Sequence, residues 1–184
     1  MQKNITIVGA GLVGSMLACY LSKRGHKVSV YERRPDMRLA GYVGGRSINL
    51  ALSHRGWKAL KGIGLEEIVS TIAIPMTGRM IHDLDGTTHH VPYGKEGQAI
   101  YSVSRGELNR IMVEEADKFK DVDFHFNQRC HSINFNSNEV VFENAKQCSF
   151  TWVYSIDAAT NAVITFCFCQ GLILINNKGW MVWE

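Results

Sequence analysis

Apolar positions recur along this chain with two periods, one of a strand and one of a helix. Ile5-Thr-Ile-Val8 is a short β-branched run ending at Gly9, and it predicts a buried strand. From Leu12 to Arg24 the residues Val13, Met16, Leu17, Tyr20 and Leu21 return at helical spacing, and Gly25 stops that helix as a C-terminal glycine does. Val28 to Tyr31 predicts a second strand, and Pro35-Asp36 opens a loop. Residues 53–62 and 104–119 carry the pattern of amphipathic helices. Between them Thr77–Leu84, Thr88–Val91 and Ala99–Val103 predict strands, with Asp85-Gly86 as a hairpin turn. Further strands are expected near Val122–Phe126, His131–Phe135 and Glu139–Phe142, with a turn at Asn136-Ser-Asn138. A βαβ start followed by an inserted antiparallel set is an α/β architecture with a second sheet layer.

Composition changes this picture in one place. Residues 151–184 hold three of the 37 charged side chains (Asp157, Lys178, Glu184) but three of the four tryptophans. Ala162 to Ile175 is nearly all apolar, yet it is short of the roughly 20 residues a spanning helix requires. It reads as a buried strand, an interfacial segment or sequence without a native partner. The expected division is therefore a domain over 1–150, with an insertion at about 76–103, and an atypical apolar tail over 151–184. A net charge of +3 without blocks of like charge gives no reason to expect a nucleic acid or a membrane surface as partner. Five cysteines at irregular spacing, with no C-x-x-C pair, point to reduced thiols. With the first apolar run at Ile5, no signal or transit peptide is expected, so a cytoplasmic location is.

Chemistry concentrates first in Gly9-Ala-Gly11-Leu-Val-Gly14, placed directly between strand and helix. Gly9 permits the tight turn, Gly11 lets the backbone approach a pyrophosphate, and Gly14 lets helix and strand pack closely. The helix N-terminal amides, including those of Leu12 and Val13, hold the phosphates. Glu32, 23 residues after Gly9, ends the second strand where a carboxylate accepts both ribose hydroxyls. The acid disfavours a 2′-phosphate and hence NADP at this loop; FAD and NAD are not separated by these residues. His82, His89 and His90 lack the partners and spacing of a metal site, and no nucleophile triad is visible. No metal and no catalytic side chain is assigned, which suits a reaction carried by a cofactor.

Gly44-Gly-Arg46-Ser-Ile-Asn-Leu-Ala-Leu-Ser53 is more specific. Together with Tyr31-Glu-Arg-Arg-Pro35, Gly78-Arg-Met80, Pro92-Tyr-Gly94 and Ser104-Arg105…Leu108-Asn-Arg110, it resembles the kynurenine 3-monooxygenase family. These are FAD-dependent aromatic hydroxylases of the p-hydroxybenzoate hydroxylase type, and the resemblance runs from Ile5 to about Asn144. It implies a Rossmann-type FAD-binding βαβ unit with an inserted antiparallel sheet. It also implies FAD as cofactor, NADPH as co-substrate, and conversion of L-kynurenine to 3-hydroxykynurenine in tryptophan catabolism towards NAD. By resemblance Glu32 and Arg33 hold the adenosine ribose, Arg105 reaches the pyrophosphate side, and Arg46 and Ser47 lie close to the flavin. Arg79 and Tyr93 bind the amino-acid carboxylate, a fit for a bidentate guanidinium and a phenol. Eukaryotic members imply the cytosolic face of the mitochondrial outer membrane, reached through C-terminal helices that this chain does not carry.

The resemblance departs at the family's Gly-Ala-Asp-Gly element. Here it is matched by Ser155-Ile-Asp157-Ala158, which keeps the FAD-supporting Asp157 but neither flanking glycine. Beyond Val163 no resemblance is visible, and the expectation is a truncated chain. Two functions follow, an FAD- and NADPH-dependent monooxygenase or a non-catalytic fragment that binds a nucleotide or a partner. A NAD-dependent dehydrogenase is a third reading, disfavoured by the run from Arg46.

Overall fold

The computed structural model describes residues 2–40, 49–134, 137–144, 146–149, 152–157, 162–167, 172–176 and 179–182. Two compact units emerge, one of Met1–Val43 with Asn109–Glu184 and one of Gly44–Leu108.

The first unit begins with β1 (Asn4–Val8), α1 (Leu12–Lys23), β2 (Lys27–Tyr31) and the short α2 (Met37–Ala40). β1 and β2 run parallel, Val8 beside Tyr31. Gly25, at φ +78°, ends α1: its N–H donates to Ser22 O, and the His26 N–H reaches back to Leu21 O. The helix is where the periodicity expects it, and its most buried positions are small residues. Gly14, Ser15, Ala18 and Cys19 are buried, whereas Val13 is about half exposed. Small side chains let the helix axis approach the sheet, and the larger Met16, Leu17, Tyr20 and Leu21 are only partly buried.

The second unit contains β3 (Asn49–Leu52), α3 (His54–Ile63), α4 (Glu66–Ser70), β4 (Ile74–Met76), β5 (Gly78–His82), β6 (Thr88–Pro92) and β7 (Ile100–Ser104). β7 lies between β3 and β4 in an antiparallel sheet. Pro75 is tolerated in β4 because that strand is at the sheet's edge. Leu60, Ile63, Leu65, Val69 and Val103 are fully buried and form this unit's core. Among the described residues β5 and β6 pair only with each other, closed by a loop in which Gly86 takes φ +88°.

α5 (Arg105–Asp117) leads back into the first unit, followed by β8 (Val122–His125), β9 (Cys130–Asn134), β10 (Glu139–Phe142) and β11 (Gln147–Ser149). β8 adds to β2 in parallel, and β9–β11 form a separate antiparallel sheet. Four strands complete the chain: β12 (Trp152–Asp157), β13 (Ala162–Cys167), β14 (Leu172–Asn176) and β15 (Gly179–Val182). β12 pairs parallel with β1, and β13 to β15 extend the sheet antiparallel, giving the order β15-β14-β13-β12-β1-β2-β8. The described parts of the apolar run from Ala162 to Ile175 are thus strand. The architecture is α/β with antiparallel additions, as the sequence implies.

Candidate functional site

In the parallel part of the sheet β1 is flanked by β2 on one side and β12 on the other. Strand order reverses there, and ligands of open α/β sheets bind outside the carboxyl ends of the strands at such a switch point. The glycine loop occupies this position. Gly9 follows β1 at φ +109°, a conformation that L side chains rarely adopt. Its N–H donates to Tyr31 O at 2.7 Å, which carries the β1–β2 ladder into the turn. Gly11 is the N-cap of α1, and a Cβ there would meet nothing within 4 Å. A Cβ on Gly14 would collide with the Gly9 carbonyl oxygen. Gly11 therefore leaves the approach to the helix N-terminus open, while Gly14 keeps helix and strand together.

Glu32 stands immediately after β2. Its backbone is fixed toward β8, with its N–H donating to His125 O at 2.9 Å and its carbonyl accepting from Gln128 N at 2.8 Å. Its carboxylate turns to the loop: Oε2 accepts the Ala10 N–H at 2.9 Å, and Oε1 accepts the Arg34 N–H at 3.0 Å. Each carboxylate oxygen keeps further lone-pair capacity for a ligand hydroxyl. Tyr31 anchors the strand end by stacking on His125 and Phe142, centroids 4.5 Å away in each case. Burial, with Lys146 nearby, pushes the His125 pKa down.

Two features escape a reading of the sequence. Asn109 of α5 donates from Nδ2 to Ala10 O at 3.0 Å, and the Ser15 Oγ donates to the same oxygen at 3.2 Å. Arg38 grips Asp36 through three side-chain bonds of 2.9, 3.0 and 2.6 Å and also reaches Asp117 at 2.5 Å. That guanidinium holds the Asp36 carboxyl below the usual carboxylate range and fastens the segment after Glu32 to α5. The signal for Asn109 is its position on the apolar stripe of α5, beside the buried Ile111, Met112 and Val113.

Gly9, Gly11, Leu12, Val13, Gly14 and Glu32 are thus gathered around one strand-to-helix turn, with Arg33 next to Glu32 and exposed. Arg46 and Ser47 lie outside the described residues. Asp157 ends β12, two residues past the Val8–Ser155 pairing, at the carboxyl edge where the loop sits. Arg105 opens α5, exposed. In the second unit Arg79 pairs with Val91, and the Tyr93 N–H donates to Thr77 O at 2.9 Å, so the ladder continues past β6. Residues opposite each other in an antiparallel pair share a face, as do residues two apart on one strand. Arg79 and Tyr93 are therefore on the same face of the hairpin, and both are exposed. Among the described residues no cluster of histidine, cysteine and acids could hold a metal, and no helix is long and apolar enough to cross a membrane.

Residues 2–146 match the FAD binding domain family. The chain is 43% identical over 166 residues to kynurenine 3-monooxygenase of Anopheles gambiae, covering 87% of this chain and 34% of the relative. To the kynurenine 3-monooxygenase of Flavobacterium johnsoniae it is 50% identical over 132 residues, covering 72% of this chain and 29% of the relative. The chain thus spans about a third of the length of these curated relatives. In fold it is similar to the crystal structure of p-nitrophenol 4-monooxygenase from Pseudomonas putida, with a TM-score of 0.69 at 20% identity over 86% of this chain and 41% of that one. A glycine loop with an open approach, an acid at the next strand tip and these likenesses agree: the chain belongs to the FAD binding domain family, its cofactor is FAD, and its sequence is similar to the kynurenine 3-monooxygenases.

Proposed function

We propose that this chain is the cofactor-binding part of an FAD- and NADPH-dependent monooxygenase that converts L-kynurenine to 3-hydroxykynurenine. The observation that carries the reading is the glycine loop, held at Ala10 by Glu32 and open in front of Gly11. The amides of Gly11, Leu12, Val13 and Gly14 lie at the positive end of α1 and take the pyrophosphate. Glu32 and Arg33 take the adenosine ribose, and Arg105 serves the phosphate side. Arg46, Ser47 and Asp157 serve the flavin side. Arg79 and Tyr93, sharing a face of the hairpin, orient the substrate carboxylate. FAD supplies the electron transfer and oxygen chemistry when bound; the chain's residues bind, orient and exclude water. A site on the cytosolic face of the mitochondrial outer membrane goes with this reading if the eukaryotic members are followed.

A second reading is supported by Ser155 and Ala158, which stand where the family pattern has glycines around Asp157. On this reading the polypeptide binds the nucleotide and catalyses nothing. Absorbance of the purified chain in the flavin bands, after incubation with FAD and removal of excess, tests both. A chain without flavin absorbance and without FAD affinity contradicts either form of the proposal.

A further inference from the structure

Ala10 is gripped on both sides of its residue. The Gly9–Ala10 peptide gives its N–H to Glu32, and the Ala10–Gly11 peptide gives its carbonyl to Asn109 Nδ2 and Ser15 Oγ. A trans peptide points its carbonyl and its N–H in opposite directions. Fixing the Ala10 oxygen toward α5 therefore fixes the Gly11 N–H away from it. Asn109 is 7% exposed and uses both of its N–H groups, the second on Met37 Sδ at 3.4 Å. Its Oδ1 is buried with no hydrogen-bond partner among the described residues. A leucine at this place in the apolar stripe would pack without burying an unsatisfied oxygen. The amide is explained by what its nitrogen holds.

We infer that Asn109 is a positioning residue of the dinucleotide site, orienting the Ala10–Gly11 peptide so that the Gly11 N–H faces the phosphates of the ligand. The inference rests on the proposed FAD reading. Beside Arg105 it gives α5 a second part in cofactor binding, one that acts through the glycine loop's own backbone.

The test measures FAD and ADP affinity of the full chain by calorimetry and flavin fluorescence, beside the melting temperature without ligand. Asn109→Leu removes both donors and should weaken FAD and ADP together by about tenfold, the factor that corresponds to one lost hydrogen bond. Asn109→Asp gives the sharper readout. A protonated carboxyl is nearly isosteric with the amide and donates to Ala10 O; the ionised form has no proton to give and repels that oxygen. Affinity of Asn109→Asp should approach that of the unsubstituted chain at acid pH and fall as pH rises, relative to the unsubstituted chain. Ser15→Ala, which leaves one donor on the oxygen, should weaken binding by a smaller factor, and it carries the test together with Asn109→Asp if Asn109→Leu does not fold. Binding unchanged in all three variants overturns the inference and leaves the FAD reading intact. So does an equal, pH-independent loss in Asn109→Leu and Asn109→Asp, which is the mark of packing alone. Failure of the unsubstituted chain to bind either FAD or ADP overturns the FAD reading and the inference with it.

Discussion

Gly11 and Gly14 are three residues apart and are glycine for different reasons. A side chain at Gly14 meets the Gly9 carbonyl, a backbone atom that cannot swing aside as a side chain would. Gly14→Ala is therefore expected to destabilise the fold by about 1–3 kcal/mol, the range for overpacking. Gly11 has an ordinary φ of −76° and open space before it. Gly11→Ala should leave the unfolding midpoint of the free chain nearly unchanged while weakening FAD, because on the proposed reading the added methyl stands where the phosphates approach. Urea unfolding and FAD titration of the two variants check the contrast; equal effects on stability contradict it. Cys19 shows the same scale at work in pH dependence. Burial, with Glu115 adding to it, pushes its thiol up to about 12 from 9.0. The folded chain then holds this proton more tightly than the unfolded one. The associated stability is complete below about pH 9 and is lost as pH rises toward 12, at no more than about 1.4 kcal/mol per pH unit. Cys19→Ala should flatten the alkaline limb of a stability–pH curve. Burial of the Tyr31 hydroxyl contributes in the same direction, so part of the slope should persist. An unaltered slope would take Cys19 out of this account.

At the scale of elements, the β5–β6 hairpin is the clearest case of a structure built for contacts beyond itself. It pairs with no other strand among the described residues, and a two-stranded sheet is marginal on its own. Arg79 and Tyr93 project from one exposed face of it. In a full-length relative, changing the arginine matched by Arg79 to methionine should raise KM for kynurenine by about 1.5–3 kcal/mol in free-energy terms, as loss of a charged hydrogen bond does. Steady-state kinetics decides: an unchanged KM removes this position from the substrate site. Elements with a strong local signal were legible from the residues alone. The β-branched Ile5–Val8, the glycine after it, Gly25 and the Asp85-Gly86 turn each state a backbone conformation directly. α4 and β4 were not legible, being too short to develop a period and, in β4, interrupted by Pro75. The buried face of α1 was not legible from apolar size, because close packing on a sheet selects the small Gly14, Ser15 and Ala18. Asn109 was missed for a related reason. A single polar residue on an apolar stripe has a meaning only when its partner, Ala10, is known to lie 99 positions away in sequence and in contact with it.

The whole molecule combines a locally formed nucleotide loop with a sheet that continues into strands of a different character. The loop's contacts are made by residues 9–32, with support from α5 at Asn109, and none of the described ones calls on β13 to β15. FAD affinity through the ADP half should therefore belong to residues 1–184 on their own. Hydroxylation asks for more. Oxygen chemistry at a reduced flavin gives product only where the reacting ring is enclosed and water is kept out, and the chain spans 34% of the length of the mosquito relative. The element that the resemblance matches to a second cofactor-side motif is also altered, since Ser155 and Ala158 stand in sequence where the family pattern has glycines. The expected outcome is that a polypeptide of residues 1–184 binds FAD weakly and oxidises NADPH slowly or not at all. Whatever NADPH is consumed should appear as hydrogen peroxide and not as 3-hydroxykynurenine. Supplying FAD, NADPH and L-kynurenine to the purified chain, and separating the products by chromatography, measures both quantities at once. Product formed at a rate near that of a full-length relative would mean that β12 to β15 enclose the ring in place of the sequence the longer relatives use.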